Sequence, residues 1–252
     1  MVRRSAAVAA AGVLALAACG SGPAPVSTST ARTTQAPSAT PTPSATPSPS
    51  PTATVDPLAG PTVAPAQQLD AGQVGDGVPA QVQGSGDVAV TYLRNGELAV
   101  VVTLDCSACT GPTALTAPGR RSAFGSAEGP LTGSYLMDPI RSSDPNQSVW
   151  LQAAGSWTLR FESWNDLPVV SGPQSGSGSA VLRIADTATT AQVSWTPAGP
   201  GDKFSGRSFG TVSAGPPQLF GDTQAFTEVV DVAMPGALAI ATNGTWTVTP
   251  IP

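Results

Sequence analysis

The strongest constraint on the fold is a repeat within the C-terminal two thirds of the chain. Gly84-Ser85-Gly86 recurs 92 residues later as Gly176-Ser177-Gly178. Gly155-Ser156-Trp157-Thr158 recurs 89 residues later as Gly244-Thr245-Trp246-Thr247. Two motifs that recur in the same order at nearly the same spacing indicate one supersecondary unit used twice.

Between these motifs the apolar positions of the two copies coincide, whereas the polar positions differ. The aligned pairs are Val90 with Leu182, Tyr92 with Ile184, Val101 with Val193, Val149 with Leu238, Leu151 with Ile240, Trp157 with Trp246 and Leu159 with Val248. A duplicated core with divergent surfaces produces this pattern. We therefore predict two units, residues 80–163 and 172–252, joined by residues 164–168.

Both units consist of short apolar or alternating runs broken by Gly, Pro, Asn or Asp, and none keeps a helical period for three turns. The pattern predicts an all-β fold of two tandem small β-sandwiches, jelly-roll or immunoglobulin-like. The predicted strands include Val88–Leu93, Leu98–Leu104, Val149–Ala153 and Trp157–Phe161. Arg94-Asn95-Gly96-Glu97 predicts a type I′ hairpin between the first two, because Asn-Gly accepts positive φ angles.

The N-terminus has the form of an export signal. Arg3 and Arg4 precede an apolar run, residues 6–16, that is shorter than the roughly 20 residues a spanning helix needs. Leu16-Ala17-Ala18-Cys19 resembles the lipobox of bacterial lipoproteins. The resemblance implies a signal peptide of residues 1–18 and lipid on Cys19, which holds the chain at the outer face of the cytoplasmic membrane. An ordinary secretion signal with a chance cysteine is the alternative.

Residues 21–66 are almost entirely Ser, Thr, Pro and Ala. Such a segment has too little apolar surface to offset the entropy of ordering, and its prolines favour polyproline II. At ~3.1 Å per residue it could reach on the order of 140 Å. We predict a disordered Pro/Ser/Thr-rich stalk over residues 19–79.

Charge and composition exclude several functions. The formal net charge is −5, Lys203 is the only lysine, and no stretch of sequence concentrates the arginines, so nucleic-acid binding is not expected. The chain has no histidine, which removes Ser-His and Cys-His nucleophiles and imidazole metal ligands. We expect no cofactor, no metal and no catalytic residue.

Cys106 and Cys109 are the two cysteines left when Cys19 carries lipid. In an exported protein we predict that they form a disulfide bracing a turn. A redox dithiol is the alternative, but such pairs usually lie at a helix N-terminus, whereas these follow a predicted strand. The second unit has Thr196-Pro197-Ala198-Gly199 nearby, so the basic fold does not need the cysteines.

Two tryptophans have no counterpart in the other unit and are candidate ligand-binding residues. Trp150 faces away from Val149 and Leu151 on an alternating strand, and Trp164 lies in the predicted linker. Aromatic rings exposed on a β-sandwich can stack on sugars. The alternatives are that Trp150 fills a second buried face and that Trp164 packs at the joint between the units.

The ending small-x-Gly-x-Trp-Thr-aliphatic resembles a β-sandwich ectodomain of exported proteins in high-G+C Gram-positive bacteria. The resemblance implies an envelope-facing module and transfers no catalytic residue. We therefore expect a non-catalytic surface lipoprotein that binds or scaffolds an envelope protein or a wall glycan. The alternative is a wall-polysaccharide hydrolase using two carboxylates, although most aspartates lie in predicted turns, where Asp is favoured for local hydrogen bonds.

Overall fold

The computed structural model describes residues 59–96, 99–137, 144–210, 218–232 and 234–252. The predicted signal peptide, Cys19 and most of the predicted stalk therefore lie outside the described residues. Residues 52–252 belong to one compact unit. No helix within the described ranges is long and apolar enough to cross a membrane.

The described chain is built from β-strands and a short 3₁₀ helix, Trp164–Asp166. The strands are β1 Gln68–Val74, β2 Ala80–Ser85, β3 Val88–Arg94, β4 Val100–Cys106, β5 Thr110–Thr116, β6 Gly125–Glu128, β7 Leu131–Met137, β8 Asn146–Ala154, β9 Ser156–Ser163, β10 Val169–Val170, β11 Gln174–Ser177, β12 Ala180–Ile184, β13 Thr190–Thr196, β14 Ser205–Gly210, β15 Gln218–Phe220, β16 Phe226–Asp231, β17 Gly236–Ala241 and β18 Thr245–Ile251.

These strands form four sheets that pair into two sandwiches. The first sandwich has the orders β1-β3-β8-β5-β6 and β2-β9-β4-β7, and the second has β10-β12-β17-β14-β15 and β11-β18-β13-β16. Adding nine to every label of the first sandwich gives the second. Strands β2–β9 have the order of a jelly roll, and β1 and β10 add a parallel edge strand to each. The predicted all-β fold of tandem sandwiches is confirmed, in its jelly-roll form.

The register corrects one pair of the sequence alignment. Leu104 lies opposite Leu159, and Val193 lies opposite Val248. Because Leu159 and Val248 correspond, the counterpart of Val193 is Leu104, and its alignment with Val101 is wrong. The offset falls from 92 to 89 because the first copy has three more residues between Val90 and Leu104 than the second copy has between their counterparts, Leu182 and Val193.

The predicted hairpin at Asn95-Gly96 is also wrong. Gly96 has the positive φ, 101°, that Asn-Gly favours. However, β3 pairs with β1 and β8, whereas β4 pairs with β7 and β9 in the other sheet. Both edges of each strand are thus occupied, and the connection crosses between the sheets.

The Gly-Ser-Gly motif of the first copy accommodates an indole ring. Gly84 lies opposite Trp157, and a Cβ at Gly84 would come within 2.7 Å of the ring atom Cζ2. The Trp157 indole N–H donates to the carbonyl of Gly86 at 2.8 Å, and Gly86 turns the chain with φ 75°. The first glycine provides room for the ring, and the second presents an acceptor.

The second copy repeats this arrangement. Gly176 lies opposite Trp246, with 2.5 Å between a Cβ added at Gly176 and Cζ2 of the ring. The indole N–H donates to the carbonyl of Gly178 at 2.9 Å. Both tryptophans are buried. The two recurring sequence motifs are therefore the two halves of one packing unit.

The folded part begins earlier than the sequence analysis placed it. Strand β1 lies within residues 19–79, which were assigned to the stalk. Its Val74 is fully buried, and Leu69 and Ala71 pack against the core of the first sandwich. These three apolar side chains give the segment enough buried surface to order it, so the stalk must end before Gln68.

The two sandwiches share a packed joint. Val181, Phe209 and Ala237, from the outer face of the second sandwich, belong to the core cluster of the first. At the same joint the backbone N–H of Val181 donates to the Ser134 hydroxyl at 2.8 Å. The second sandwich keeps a separate core of its own between its two sheets.

The predicted linker is also fixed in place. The carboxylate of Asp166 accepts two hydrogen bonds from the backbone N–H of Gly77, at 2.9 and 3.0 Å. The Ser163 hydroxyl donates to the carboxylate of Asp76. The turn between β1 and β2 is thereby tied to the connection between the sandwiches.

Candidate functional site

A cleft of about 1100 Å³ lies between the two sandwiches. Its walls come from the loop between β5 and β6, from β7, from the loop between β13 and β14, and from β14 and β17. Ligand sites commonly occur where two domains meet, and this volume would admit an oligosaccharide-sized molecule. We take this cleft as the candidate site.

The cleft gathers most of the positive charge of the described chain. The described ranges contain seven cationic residues, Arg94, Arg120, Arg121, Arg160, Arg183, Lys203 and Arg207. Arg120 and Arg121 of the first sandwich and Lys203 and Arg207 of the second line the cleft. The sequence analysis missed this site because no linear pattern joins residues 120–121 to 203–207. The packing of the sandwiches brings them together.

Arg120 is held in place by its neighbours. Its guanidinium carbon lies 3.9 Å from the centroid of the Phe124 ring, and its Nε donates to the Ser122 carbonyl at 3.2 Å. Partial burial, and then the positive charge of Arg207, lower the pKa of Arg120. Arginine nevertheless remains charged at neutral pH. The two sandwiches therefore present like charges close enough to repel each other.

Arg207 takes the place that Thr116 has in the first sandwich, and its neighbour Ala239 takes the place of Trp150. Arg207 lies opposite Ala239, whereas the equivalent pair in the first sandwich is Thr116 opposite Trp150. The small side chain of Ala239 leaves room for a long cation at the cleft. At this pair of positions the first sandwich thus presents an indole, and the second presents a guanidinium group.

Asp202 is the one carboxylate that lines the cleft among the described residues. It accepts hydrogen bonds from the backbone N–H groups of Ala198, Lys203 and Asn243 at 2.8–3.1 Å, and from the Thr242 hydroxyl. Burial alone would raise its pKa, but these hydrogen bonds outweigh burial and lower the pKa of Asp202. Its charge is used to hold the loop after β13 against the turn between β17 and β18.

The corresponding loop of the first sandwich is held covalently. Cys106 and Cys109 form a disulfide, with Cα atoms 5.2 Å apart, and both residues are buried. The loop packs on Gly155, where an added Cβ would come within 2.7 Å of the Ala108 carbonyl oxygen. Gly244 contacts the carbonyl of Thr196 in the same way in the second copy. A loop thus packs against the glycine two residues before each repeated tryptophan, where a larger residue would clash with it.

The Trp164 side chain lacks the exposure that a ligand-binding ring needs. Its side chain is only 5% exposed, and the guanidinium carbon of Arg183 lies 5.5 Å from the ring centroid. A sugar cannot stack on a ring that is covered on this scale. Trp164 as a candidate ligand-binding residue is therefore wrong, because the joint between the sandwiches buries it.

Trp150 is half-buried on the outer face of β8, between Ala89 and Thr116 on the neighbouring strands. The chain at Gly60 passes over this face, so that an added Cβ would lie 3.3 Å from Thr116 Cγ2. Trp150 does not line the cleft. A role in sugar stacking stays a prediction for the part of its ring that remains exposed.

Among the described residues no group of three or more Cys, Asp or Glu side chains is arranged to hold a metal ion. The aspartates of the predicted turns serve local hydrogen bonds where the structure describes them. Asp144 and Asp222 accept from backbone N–H groups one or two residues ahead, as turn residues do. Asp138 lies outside the described residues.

No protein-family model and no curated protein matches the chain. Among solved structures it is similar to the CUB1-EGF-CUB2 domains of rat MASP-1, with 7% identity, 70% of this chain and 99% of that chain covered, and a TM-score of 0.23. For Bacteroides uniformis beta-glucuronidase the identity is 12%, 66% of this chain and 22% of that chain are covered, and the TM-score is 0.23. For a triple jelly-roll protein of an archaeal virus the identity is 9%, 68% of this chain and 58% of that chain are covered, and the TM-score is 0.19. Likenesses this weak assign neither a family nor a function.

Proposed function

We propose that the mature chain is a non-catalytic binding module of the cell envelope, anchored by lipid on Cys19. The residues between Cys19 and the first sandwich form its stalk, and the cleft between the two sandwiches binds its ligand, a wall glycan or an exposed part of an envelope protein. The observation that carries the proposal is the cleft, because it is built by both sandwiches around a shared joint.

The disulfide supports a location outside the cytoplasm. Disulfides persist in oxidising compartments, whereas cytoplasmic thiols are kept reduced. Cys106 and Cys109 are buried as a disulfide within one turn, and they follow a strand rather than beginning a helix. This environment favours a structural bond over a redox centre.

Binding is a better account of the cleft than hydrolysis. Glycoside hydrolysis ordinarily uses two carboxylates that flank the scissile bond. The described lining has one carboxylate, and that of Asp202 accepts hydrogen bonds from three backbone N–H groups. A carboxylate so occupied is a poor proton donor, because its pKa is lowered rather than raised.

The anchor can be tested by Cys19→Ala, with Ser21→Ala as the matched control. The wild-type chain and the control should partition into the detergent phase, because two acyl chains hold a protein stably at a membrane. The Cys19→Ala product should be uncleaved or soluble. Full partition of Cys19→Ala into detergent would remove the anchor from the proposal.

Binding without catalysis can be tested with residues 20–252, which lack the signal peptide and Cys19, and with purified wall glycan fragments. We expect cosedimentation with the glycan, or with a defined envelope protein, and no increase in reducing ends. If new reducing ends form with the wild-type protein but not with Asp202→Asn, the protein is a hydrolase and not a binding module.

A further inference from the structure

We propose that the cleft between the two sandwiches binds a ligand carrying at least two phosphate or carboxylate groups. The cations that define the site are Arg120, Arg121, Lys203 and Arg207. The inference rests on the proposed binding function and adds the chemical class of the ligand.

The remaining described cations have visible structural roles. Arg160 forms an ion pair with Glu162 at 2.9 Å, and Arg183 donates to the carbonyl of Asn165 beside Trp164. Arg94 is buried within the first sandwich. Each of these three side chains is therefore accounted for by the fold.

Three of the four cleft cations differ from these. In the part of the chain that the structure describes, Arg120, Arg121 and Lys203 form no ion pair with a carboxylate. The one carboxylate of the described lining, Asp202, is directed to backbone N–H groups and to Thr242. Positive charge is thus concentrated at one place on a chain whose formal net charge is −5. Placing like charges close together raises the electrostatic free energy, and a bound anion would offset this repulsion.

The positions of the cations indicate more than one anionic group. Two of them come from the loop between β5 and β6 and two from the second sandwich, so they approach the cleft from opposite walls. Arginine pairs bidentately with phosphate and carboxylate alike, and lysine acts as a point charge on either. A ligand that satisfied both walls would carry an anionic group for each.

The rest of the lining suits the uncharged part of such a ligand. Serine hydroxyls, including those of Ser122, Ser126 and Ser205, lie along the cleft beside the Phe124 ring. Hydroxyls donate and accept hydrogen bonds, and the volume of about 1100 Å³ exceeds that of a single phosphate. The site therefore fits a polyol or saccharide bearing phosphate or carboxylate better than a free ion.

The proposal can be tested by isothermal titration calorimetry of residues 20–252 at low ionic strength. Tripolyphosphate and citrate are the two anionic probes, and maltotriose is the neutral control. We expect at least one anion to bind, with an affinity that falls as salt is added. Binding of tripolyphosphate alone identifies a phosphate ligand, and binding of citrate alone identifies a carboxylate ligand.

Single substitutions locate the binding. Arg120→Ala, Arg121→Ala and Lys203→Ala each remove one cleft cation, and Arg160→Ala removes one exposed cation from elsewhere. A hydrogen bond to a charged group contributes about 1.5–3 kcal/mol, so Arg120→Ala should weaken binding by about tenfold or more. Arg120, Arg121 and Lys203 are all exposed, so each of the three variants should keep the fold. Arg160→Ala should change the affinity by less than about twofold.

Three results would overturn the inference. These are no binding of either anion, equal losses in Arg160→Ala and the cleft variants, and stronger binding of maltotriose than of the anions. If the anions do not bind but wall glycan still cosediments with the chain, the proposed function survives and its ligand class fails. If the anions bind but Cys19→Ala leaves the protein in the detergent phase, the ligand class survives and the anchor fails.

Discussion

Trp157 and Trp246 hold equivalent places in the two sandwiches, each over a glycine and each donating its indole N–H to a turn carbonyl. Replacing either with Ala should lower the free energy of unfolding by about 3–5 kcal/mol, because a large buried side chain is lost and a cavity remains. Trp150→Ala should cost clearly less, since that ring is half-buried. Urea denaturation of the three variants checks this order, which equal losses would contradict.

The glycines opposite these rings should also be sensitive to substitution, although less than the rings themselves. Gly176→Ala places a methyl carbon 2.5 Å from Trp246 Cζ2, so it should destabilise the fold by about 1–3 kcal/mol through overpacking. Ser175→Ala, at an exposed position of the same strand, is the matched control. Combining Gly176→Ala with Trp246→Phe should cost less than the sum of the single changes, because the smaller ring vacates the space. Strict additivity would disprove the contact.

Asp202 should make stability depend on pH in acid. Its pKa in the folded protein is lowered from the unfolded value of about 3.9, so its contribution is present above that value and is lost as the pH falls through the folded pKa. Asp202→Asn should therefore be less stable than wild type at pH 7, by about 1–2 kcal/mol, and the difference should shrink below about pH 4. Thermal melts at both pH values test this, with Asp186→Asn, at an exposed turn, as control. A difference that persists unchanged in acid would assign the effect to something other than the carboxylate charge.

At this scale the sequence predicted the buried side chains better than the exposed ones. Trp157, Trp246 and the aliphatic pairs of β8 and β17 could be identified because a repeated core keeps its apolar positions. Arg120 and Lys203 could not be predicted as neighbours, because residues on opposite walls of a cleft need not share a pattern. Trp164 was misassigned because the sequence does not show whether solvent or a second sandwich covers an isolated aromatic residue in a connection.

At the scale of elements, the loop after β4 and its counterpart after β13 meet the same need by different chemistry. Each approaches the glycine that precedes the repeated tryptophan, the first held by the Cys106–Cys109 disulfide and the second by Asp202. Two cysteines close only a short loop, so their contribution is a few kcal/mol at most. The sequence showed that the cysteines were dispensable to the basic fold but not what replaced them.

Reduction of this disulfide should therefore lower the melting temperature slightly and leave the circular dichroism spectrum unchanged. The double variant Cys106→Ala with Cys109→Ala should behave in the same way, and reductant should then have no further effect on it. Mass spectrometry should find no free thiol in the described region of the native chain. Reduction of insulin by the purified protein would contradict a purely structural bond.

Strand connections were the least predictable elements. Asn95-Gly96 has the local preference of a hairpin turn, and Gly96 adopts the expected positive φ, yet the strands on either side belong to different sheets. Local sequence determines how sharply the chain turns there. Which strand it pairs with next is decided by the partners that already occupy both edges, and those lie far away in sequence.

At the scale of the molecule, the shared joint should make the two sandwiches unfold together. Val181, Phe209 and Ala237 of the second sandwich pack into the core of the first. Phe209→Ala should lower the melting temperature of a single transition rather than split it, because it leaves a cavity where both sandwiches meet. Ile240→Ala, in the separate core of the second sandwich, is the comparison. Two well-separated calorimetric transitions in the wild-type protein would show that the joint does not couple them.

The parallel pairing of β1 with β3 determines how the fold would bear mechanical load. In the proposed tethered protein, tension would enter through the chain that leads into Gln68. In a parallel pair, a pull along the strand axis slides one strand past the other and loads the ladder of hydrogen bonds from Gln68 to Val74 together. A terminal hairpin pulled apart from its end would instead open one hydrogen bond at a time. In the proposed tethered protein, β1 is thus the strand through which tension on the stalk reaches the first sandwich, as shear along the strand axis.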